Sequence, residues 1–135
     1  MDISVKTGVE TCKIRDEHDN IIGQFDFNPT DTNMFTRYQT VSKAFSDFNV
    51  EKMLEEEDGI TKADDFVREQ FDFLFGYKVS EGIFGQTGPF TLNKDGTLFF
   101  ANMLDAIGNI VKKSTEQRIK KIDAQVQKAT ARYNK

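Results

Sequence analysis

The sequence has little cysteine, histidine and proline, and it has no tryptophan. Its 135 residues contain one cysteine, Cys12, one histidine, His18, and two prolines. A single cysteine excludes a disulfide within this sequence, and Cys12 with His18 alone cannot supply the ligand set of a zinc site. His18 lies in a polar cluster, where a solvent-exposed turn histidine is the simplest interpretation. We therefore expect neither a disulfide nor a metal site.

Long apolar runs and nucleotide-binding signatures are also missing from the sequence. No apolar stretch approaches the ~20 residues that a membrane helix requires, and the N-terminus lacks the pattern of a signal peptide. The glycines at 82, 85 and 88 form no dinucleotide or phosphate-binding motif, and residues 91–102 lack the acidic ligands of a calcium loop. These absences predict a cytoplasmic protein without membrane contact, cofactor, catalytic residues or enzymatic activity.

Charge is divided unevenly along the sequence. Residues 1–111 carry 10 basic and 20 acidic side chains, whereas residues 112–135 carry eight basic and two acidic ones. The basic end indicates either a segment that meets an acidic partner or a solvated helix end whose cations suit the helix C-terminus. The acidic body opposes the approach of phosphate groups, which argues against nucleic acid as the partner. Acidic runs at 55–58 and 64–65 are interpreted as solvated helix faces.

Phenylalanine is the residue type in which the sequence is rich. Thirteen phenylalanines supply large apolar side chains for one core, and a chain of this length fits one domain. In residues 1–28, the alternation of Phe25 and Phe27 with polar neighbours is typical of a half-buried strand. With the polar turn at 16–20, it predicts a β-hairpin. Ile3 and Val5 predict a third strand.

Three or four helices are predicted after the hairpin. Asn28 is placed as the cap of the first helix and Pro29 at its first helical position. One apolar face of that helix comprises Phe35, Tyr38, Val41, Phe45 and Phe48. A helix predicted from Thr61 to Val79 begins with a capping box at Thr61–Asp64. Because it is apolar nearly all round, it is predicted to be the central core element.

The glycine-rich segment 76–97 predicts loops and turns that Phe84 and Phe90 hold against the core. A last, long helix is predicted from Leu98 to about Asn134, with a strongly apolar first half. Its second half has a narrower stripe at spacings of three and four, comprising Ile119, Ile122, Val126, Ala129 and Tyr133. The stripe is typical of a helix seam, and a solvated helix end is the alternative. Together with Phe84 and Phe90, it forms the set of candidate contact residues for a protein partner.

These elements predict a mainly α (α+β) fold in which an N-terminal β-hairpin precedes three to four helices, the last one long. Residues 1–111 are interpreted as one globular domain, with the hairpin in 1–28 and a helical core in 29–111. Residues 112–135 are interpreted as a basic C-terminal helical extension.

Two segments carry a resemblance to a known family. Residues 25–35 read FDFNPTDTNMF, a strand that runs into a capped helix, and residues 75–85 read FGYKVSEGIFG, a loop that precedes the apolar helix from Leu98. In this order they resemble the small tail assembly chaperone-like proteins of long-tailed phages and prophages of Gram-positive bacteria. The resemblance covers roughly residues 20–111. The family loop often reads FGGRN, and this chain departs from it with FGQTG at 84–88.

The resemblance implies a chaperone without enzymatic activity that coats the tape measure protein before the tail tube polymerises around it. It also implies self-association along that client, as a homo-oligomer, in the cytoplasm of the bacterial host. Two other functions stay open. One is a structural subunit that remains in the phage tail or capsid, and the other is a nucleic-acid-binding regulator that uses the basic C-terminal helix.

Overall fold

The computed structural model describes residues 1–133 of the chain, with side chains through residue 131. A two-stranded antiparallel sheet is followed by helices, the last of which is long, so the predicted fold class is confirmed. The elements of this part of the chain are β1 (Glu10–Arg15), β2 (Ile21–Phe27), α1 (Thr32–Ser46), α2 (Val50–Leu54), α3 (Gly59–Phe75), α4 (Ser80–Phe84) and α5 (Phe99–Tyr133). No helix within it is long and apolar enough to cross a membrane.

The hairpin forms where the alternating pattern predicts it. Phe25 and Phe27 are buried on the inner face of β2. The turn is closed by Asp16, whose Oδ1 accepts hydrogen bonds from the backbone N–H groups of His18 and Asn20, both at 2.9 Å. His18 is solvent-exposed in this turn, as the sequence predicts.

The predicted third strand is wrong. Residues 1–9 form no strand, and Ile3 and Val5 are both exposed. A strand is stabilised mainly by burying one of its faces, and neither side chain is covered by the body. The hairpin therefore stays two-stranded.

Helix α1 begins three residues later than Asn28 would require. Asp31 is its cap and accepts a hydrogen bond from the N–H of Asn33 at 2.9 Å. Asn28 instead accepts from the backbone N–H of Thr30 at 3.2 Å and closes a turn in which Pro29 follows it. Two residues with capping side chains lie three positions apart, and the local turn uses the first of them. The predicted roles of Asn28 and Pro29 are therefore wrong.

The buried face of α1 is rotated from the predicted one. Met34 and Val41 are buried, whereas Phe35 is exposed. Phe35 lies about 100° around the helix from Met34. The spacing of four, three and four from Met34 to Tyr38, Val41 and Phe45 describes the inner face better than a face that starts at Phe35.

Helix α3 is the central element of the core. Val67, Phe71 and Leu74 are fully buried. The predicted capping box is wrong, because the helix already begins at Gly59 and the Asp64 carboxylate pairs with Arg68 at 2.7 Å. The helix ends at Phe75, not at the predicted Val79, and it is not buried all round, since Phe73 is 49% exposed.

The glycine-rich segment contains a helix that the sequence pattern does not predict. Helix α4 is five residues long, and the Asp72 carboxylate of α3 accepts the backbone N–H of Ser80 at 2.8 Å. Gly82 lies directly against β2, where an added Cβ atom would stand 2.2 Å from the carbonyl oxygen of Gln24. This close approach requires glycine, and it joins α4 to the hairpin.

Helix α5 runs antiparallel to α1 along the body. Phe100 near its start lies 5.4 Å from Phe45, between ring centroids, and Gly108 faces the hydroxyl of Tyr38. Farther along, Arg118 donates a hydrogen bond to the carbonyl oxygen of Thr30. Among the described residues of α5, the last buried side chain is that of Val111. The division of the chain at residue 111 into a domain and an extension stays a prediction.

Candidate protein-binding surface

The apolar stripe of α5 is exposed to solvent. Ile119, Ile122 and Val126 are 61%, 52% and 56% exposed, and Ala129 is exposed as well. The side chain of Tyr133, predicted as the last member, lies outside the described residues. We call Ile119, Ile122, Val126 and Ala129 the tail stripe. Branched apolar side chains that share one helix face and remain in water favour a contact with another protein.

The tail stripe continues the face by which α5 packs on the body. At about 100° per residue, Ile122 and Ala129 lie within about 20° of the buried Val111 around the helix axis, and Val126 lies about 60° from it. Thr115 lies on the same side, and its hydroxyl donates to the carbonyl oxygen of Val111 at 2.8 Å. The body ends near Arg118, and all residues from 119 to 131 are exposed. The apolar face of α5 therefore extends beyond the part of the body that covers it.

Basic side chains border the tail stripe. Lys121 and Lys128 are seven residues apart, so they lie along one edge of the stripe. On the other edge lies Asp123, which accepts a hydrogen bond from the Gln127 amide at 3.0 Å. Residues 112–131 contain six basic and two acidic side chains. The stripe is thus the apolar face of a basic amphipathic helix.

The structure separates Phe84 and Phe90 from the tail stripe. Phe84 is 2% exposed, and its ring lies 4.9 Å from Phe71 and 5.9 Å from Phe99. Phe90 is half-buried, 5.2 Å from Phe100. Both rings hold the loop against the core, as the sequence predicts. The prediction that Phe84 contacts a partner is wrong, because its ring is buried in the core and presents no surface to a partner.

A groove at the junction of α1, α2 and α3 is the feature that the sequence pattern misses. Its floor consists of half-buried apolar side chains, and Phe48 and Phe66 stack there with ring centroids 4.4 Å apart. The groove encloses about 450 Å³. We call it the acidic groove, and its lining comprises Ala44, Asp47, Phe48, Asn49, Lys52, Met53, Glu56 and Phe66. The sequence feature that could have indicated this groove is the pair Phe48 and Met53, two apolar residues on either side of a polar helix cap.

The surroundings of the acidic groove carry an excess of negative charge. Residues 47–62 contain six acidic and two basic side chains. Glu56 on the rim pairs with Lys62 at 2.6 Å, and this hydrogen bond lowers the pKa of the Glu56 carboxyl below its ordinary value. Glu56 therefore remains ionised at neutral pH. The acidic run, which we interpreted as a solvated face, borders an apolar recess.

A cleft of about 650 Å³ lies between the hairpin turn and the loop that precedes α5. Three exposed carboxyl groups line it, and each has a lowered pKa. The backbone N–H of Asn20 lowers the pKa of Asp16, Lys94 at 2.9 Å lowers that of Glu17, and Thr97 lowers that of Asp95. General acid catalysis needs a raised pKa, so these three groups are not poised for it.

Burial and the nearby Glu10 carboxylate raise the pKa of the Cys12 thiol, which keeps it protonated and weakly nucleophilic. Within the part of the chain that the structure describes, no cluster of three histidine, cysteine or acidic residues could hold a metal ion.

The tail stripe and the acidic groove are the two surfaces whose composition points to a binding role. Each has the character of one half of a helix-in-groove contact, in which an amphipathic helix places its apolar face in an apolar recess. The two surfaces also carry opposite charge. Comparisons with protein-family models, curated proteins and solved structures give no match for this chain.

Proposed function

We propose that this chain is a non-catalytic tail assembly chaperone that binds the tape measure protein of a long-tailed phage or prophage in the cytoplasm of its host. The observation that carries the protein-binding part of this proposal is the exposed tail stripe on a helix that leaves the body. The resemblance at residues 25–35 and 75–85 supplies the identity of the client.

The tail stripe suits a reversible contact. Full burial of a branched apolar side chain contributes about 1.5–3 kcal/mol, and Ile119, Ile122 and Val126 are already partly covered by their own helix. The stripe therefore offers a few kcal/mol in total, from which the cost of association is still subtracted. A chaperone that must leave when the tail tube assembles needs contacts of this modest strength, repeated along the client.

Co-expression with the tape measure protein of the same phage or prophage tests this function. A tagged tape measure protein is expected to retain the chain on an affinity column, and the double variant Ile122→Asp/Val126→Asp is expected to be lost from it. The matched control is Ala124→Asp/Ala131→Asp, which adds the same charge to the opposite face of α5. Equal retention of both variants, or no retention of the parent chain, would contradict the proposal.

Mass spectrometry of purified particles separates a chaperone from a structural subunit. We expect the chain to be absent from mature particles, because an assembly factor leaves before completion. A stoichiometric amount in the particle would instead assign it to the tail or capsid. A nucleic-acid regulator would be recognised by tight, salt-sensitive binding of the purified chain to DNA or RNA, which the acidic body opposes.

A further inference from the structure

We propose that the open edge of β1 takes up an extended segment of another protein in which apolar and acidic residues alternate. The segment lies antiparallel to β1 and adds a third strand to the sheet, a mode of recognition known as β-strand addition. This edge is separate from the tail stripe and from the acidic groove, so the inference does not depend on the proposed function.

The outer edge of β2 is closed to such an addition. The Tyr77 hydroxyl occupies both backbone groups of Asp26, accepting from the N–H at 2.9 Å and donating to the carbonyl oxygen at 2.7 Å. Gly82 of α4 lies directly against the carbonyl oxygen of Gln24. The only edge of this sheet left for another strand is therefore that of β1, within the part of the chain that the structure describes.

The backbone of β1 offers hydrogen-bonding groups at two residues along this edge. Thr11 lies opposite Asp26, and Lys13 lies opposite Gln24. Because both backbone groups of Asp26 point away from β1, its pair with Thr11 is a non-hydrogen-bonded one, and the N–H and C=O of Thr11 point away from β2. The same holds for Lys13, two residues farther on. An added strand thus finds two donors and two acceptors.

The segment that precedes β1 leaves this edge uncovered. Gly8 lies beside the turn that follows β2, where an added Cβ atom would stand 3.1 Å from Oδ1 of Asn28 and 3.2 Å from Oγ1 of Thr30. Residues 1–9 therefore continue past the end of β2, and they form no strand. Among the described residues, the only strand that pairs with β1 is β2.

The two faces of β1 determine the chemistry of the added segment. Residues that pair with Thr11 and Lys13 share their outer face, where Lys13 is exposed and in no ion pair among the described residues. Opposite charges on neighbouring strands stabilise a sheet, so acidic side chains fit there. The residues in between share the inner face with the half-buried Cys12 and Ile14, where apolar side chains fit.

The cleft of about 650 Å³ extends this apolar inner face. Ile14 belongs both to β1 and to the lining of the cleft, which also includes Ile22, Phe99 and Met103. An apolar side chain placed beside Ile14 therefore reaches the mouth of the cleft. In β-strand addition, recesses of this kind select alternate side chains of the added strand, while the backbone hydrogen bonds hold it.

Strand β2 already pairs with β1 through the same pattern of residues. Phe25 lies opposite Cys12 and is buried, and Phe27 is buried as well. Asp26 between them lies on the outer face and accepts a hydrogen bond from the Thr11 hydroxyl at 2.8 Å. An acidic residue between two apolar ones thus matches the order of side chains along β1.

The charge of the edge disfavours a second copy of the chain as the added strand. Two β1 strands paired edge to edge would bring Lys13 of one copy opposite Lys13 or near Arg15 of the other, and like charges directly opposite each other destabilise a sheet. Lysine on an edge strand is a common protection against such pairing. An acidic segment of another protein converts the same lysine into an attraction.

A synthetic peptide tests the proposal with the purified full-length chain. The probe is a dye-labelled peptide with the sequence SVEVEVS, and fluorescence anisotropy is expected to show saturable binding below about 1 mM. The control peptide SEEVVVS has the same composition without the alternation and is expected to bind about tenfold more weakly or worse. Methylating the backbone nitrogens of the glutamates is expected to abolish binding, because these N–H groups face β1. Methylating those of the two outer valines is expected to preserve it, because they point away from β1.

Matched variants of the chain locate the peptide on β1. Thr11→Pro removes an N–H that points away from β2, so the hairpin is expected to stay folded while peptide binding is lost. Thr11→Val keeps that N–H and is expected to bind like the parent. Lys13→Glu is expected to weaken binding about tenfold, whereas Lys113→Glu changes the net charge equally at an exposed position of α5 and is expected to have no effect. Circular dichroism verifies that each variant is folded.

Four results would overturn the proposal. The first is a parent chain that does not bind the alternating peptide at up to about 1 mM. The second is equal binding of the peptides methylated at glutamate and at valine, a comparison that decides the matter even if Thr11→Pro fails to fold. The third is unchanged binding by Lys13→Glu. The fourth is self-association of the parent that Thr11→Pro abolishes while folded, which would assign the edge to a second copy.

Discussion

At the scale of single residues, Phe71 is the side chain on which the core depends most clearly. It is fully buried and its ring contacts Phe84 across the junction of α3 and α4. We expect Phe71→Ala to lower the free energy of unfolding by about 3–5 kcal/mol, because it removes a large side chain and leaves a cavity. Phe73→Ala on the same helix, where the ring is 49% exposed, should cost less than about 1 kcal/mol. Urea unfolding of both variants measures the difference.

Tyr77 holds the outer edge of β2. Its hydroxyl accepts the backbone N–H of Asp26 at 2.9 Å and donates to the Asp26 carbonyl oxygen at 2.7 Å. Tyr77→Phe removes both hydrogen bonds, and we expect a loss of about 1 kcal/mol at neutral pH. A shift of the unfolding midpoint no larger than the measurement error would show that water replaces the hydroxyl without cost.

The pKa of Tyr77 adds a pH signature to the same variant. Partial burial raises the pKa of the hydroxyl above its ordinary value near 10. The folded state thus favours the neutral form, so its contribution is fully present below about pH 10 and is lost as pH rises above that value. We expect the stability difference between parent and Tyr77→Phe to shrink above about pH 10 and to be constant between about pH 7 and 9.

At the scale of elements, the sequence predicted the helices and strands that have long or strictly periodic patterns. The hairpin followed from alternation at Phe25 and Phe27, and α5 from a long segment without proline. The start of α1 could not be predicted, because Asn28 and Asp31 can both cap, and in the structure Asn28 closes a local turn with Thr30 while Asp31 caps the helix. Helix α4 was missed because its stabilising contacts, Asp72 on α3 and Gln24 on β2, are distant in sequence.

The two candidate surfaces also differ in how well the sequence predicts them. The tail stripe is a local pattern on one helix, so its spacing revealed it. The acidic groove is formed only when Phe48 at the end of α1 stacks on Phe66 of α3. No single segment carries that information, which is why the acidic run was interpreted as a plain solvated face.

The end of α5 is an element that the body does not need for its own stability. Residues 119–131 are all exposed, and among the described residues the last hydrogen bond from α5 to the body is that of Arg118. We expect a chain that ends at Arg118 to unfold within a few degrees of the parent melting temperature and to lose self-association. A large drop in melting temperature would show that the tail contributes to the fold of its own chain.

At the scale of the whole molecule, opposite charges are collected at opposite ends. Attraction between such ends of neighbouring copies is screened by salt, since the Debye length falls from about 10 Å at 0.1 M to about 3 Å at 1 M. We expect the dissociation constant of self-association to rise between about 0.05 M and 0.5 M sodium chloride. Sedimentation at both concentrations measures it, and an unchanged or lower constant at high salt would indicate a contact governed by apolar burial alone.

Because α5 is one continuous helix, its length fixes both the direction in which the tail stripe faces and its distance from the body. Each residue inserted between Arg118 and Ile119 turns the stripe by about 100° and advances it by about 1.5 Å. Two inserted alanines therefore point the stripe nearly backwards, whereas seven return it to within about 20° of its original phase, about 10 Å farther out. We expect the first variant to be lost from a column that carries the tape measure protein and the second to be retained on it. The number of residues between Arg118 and Ile119 would then set the distance at which the client is held from the body.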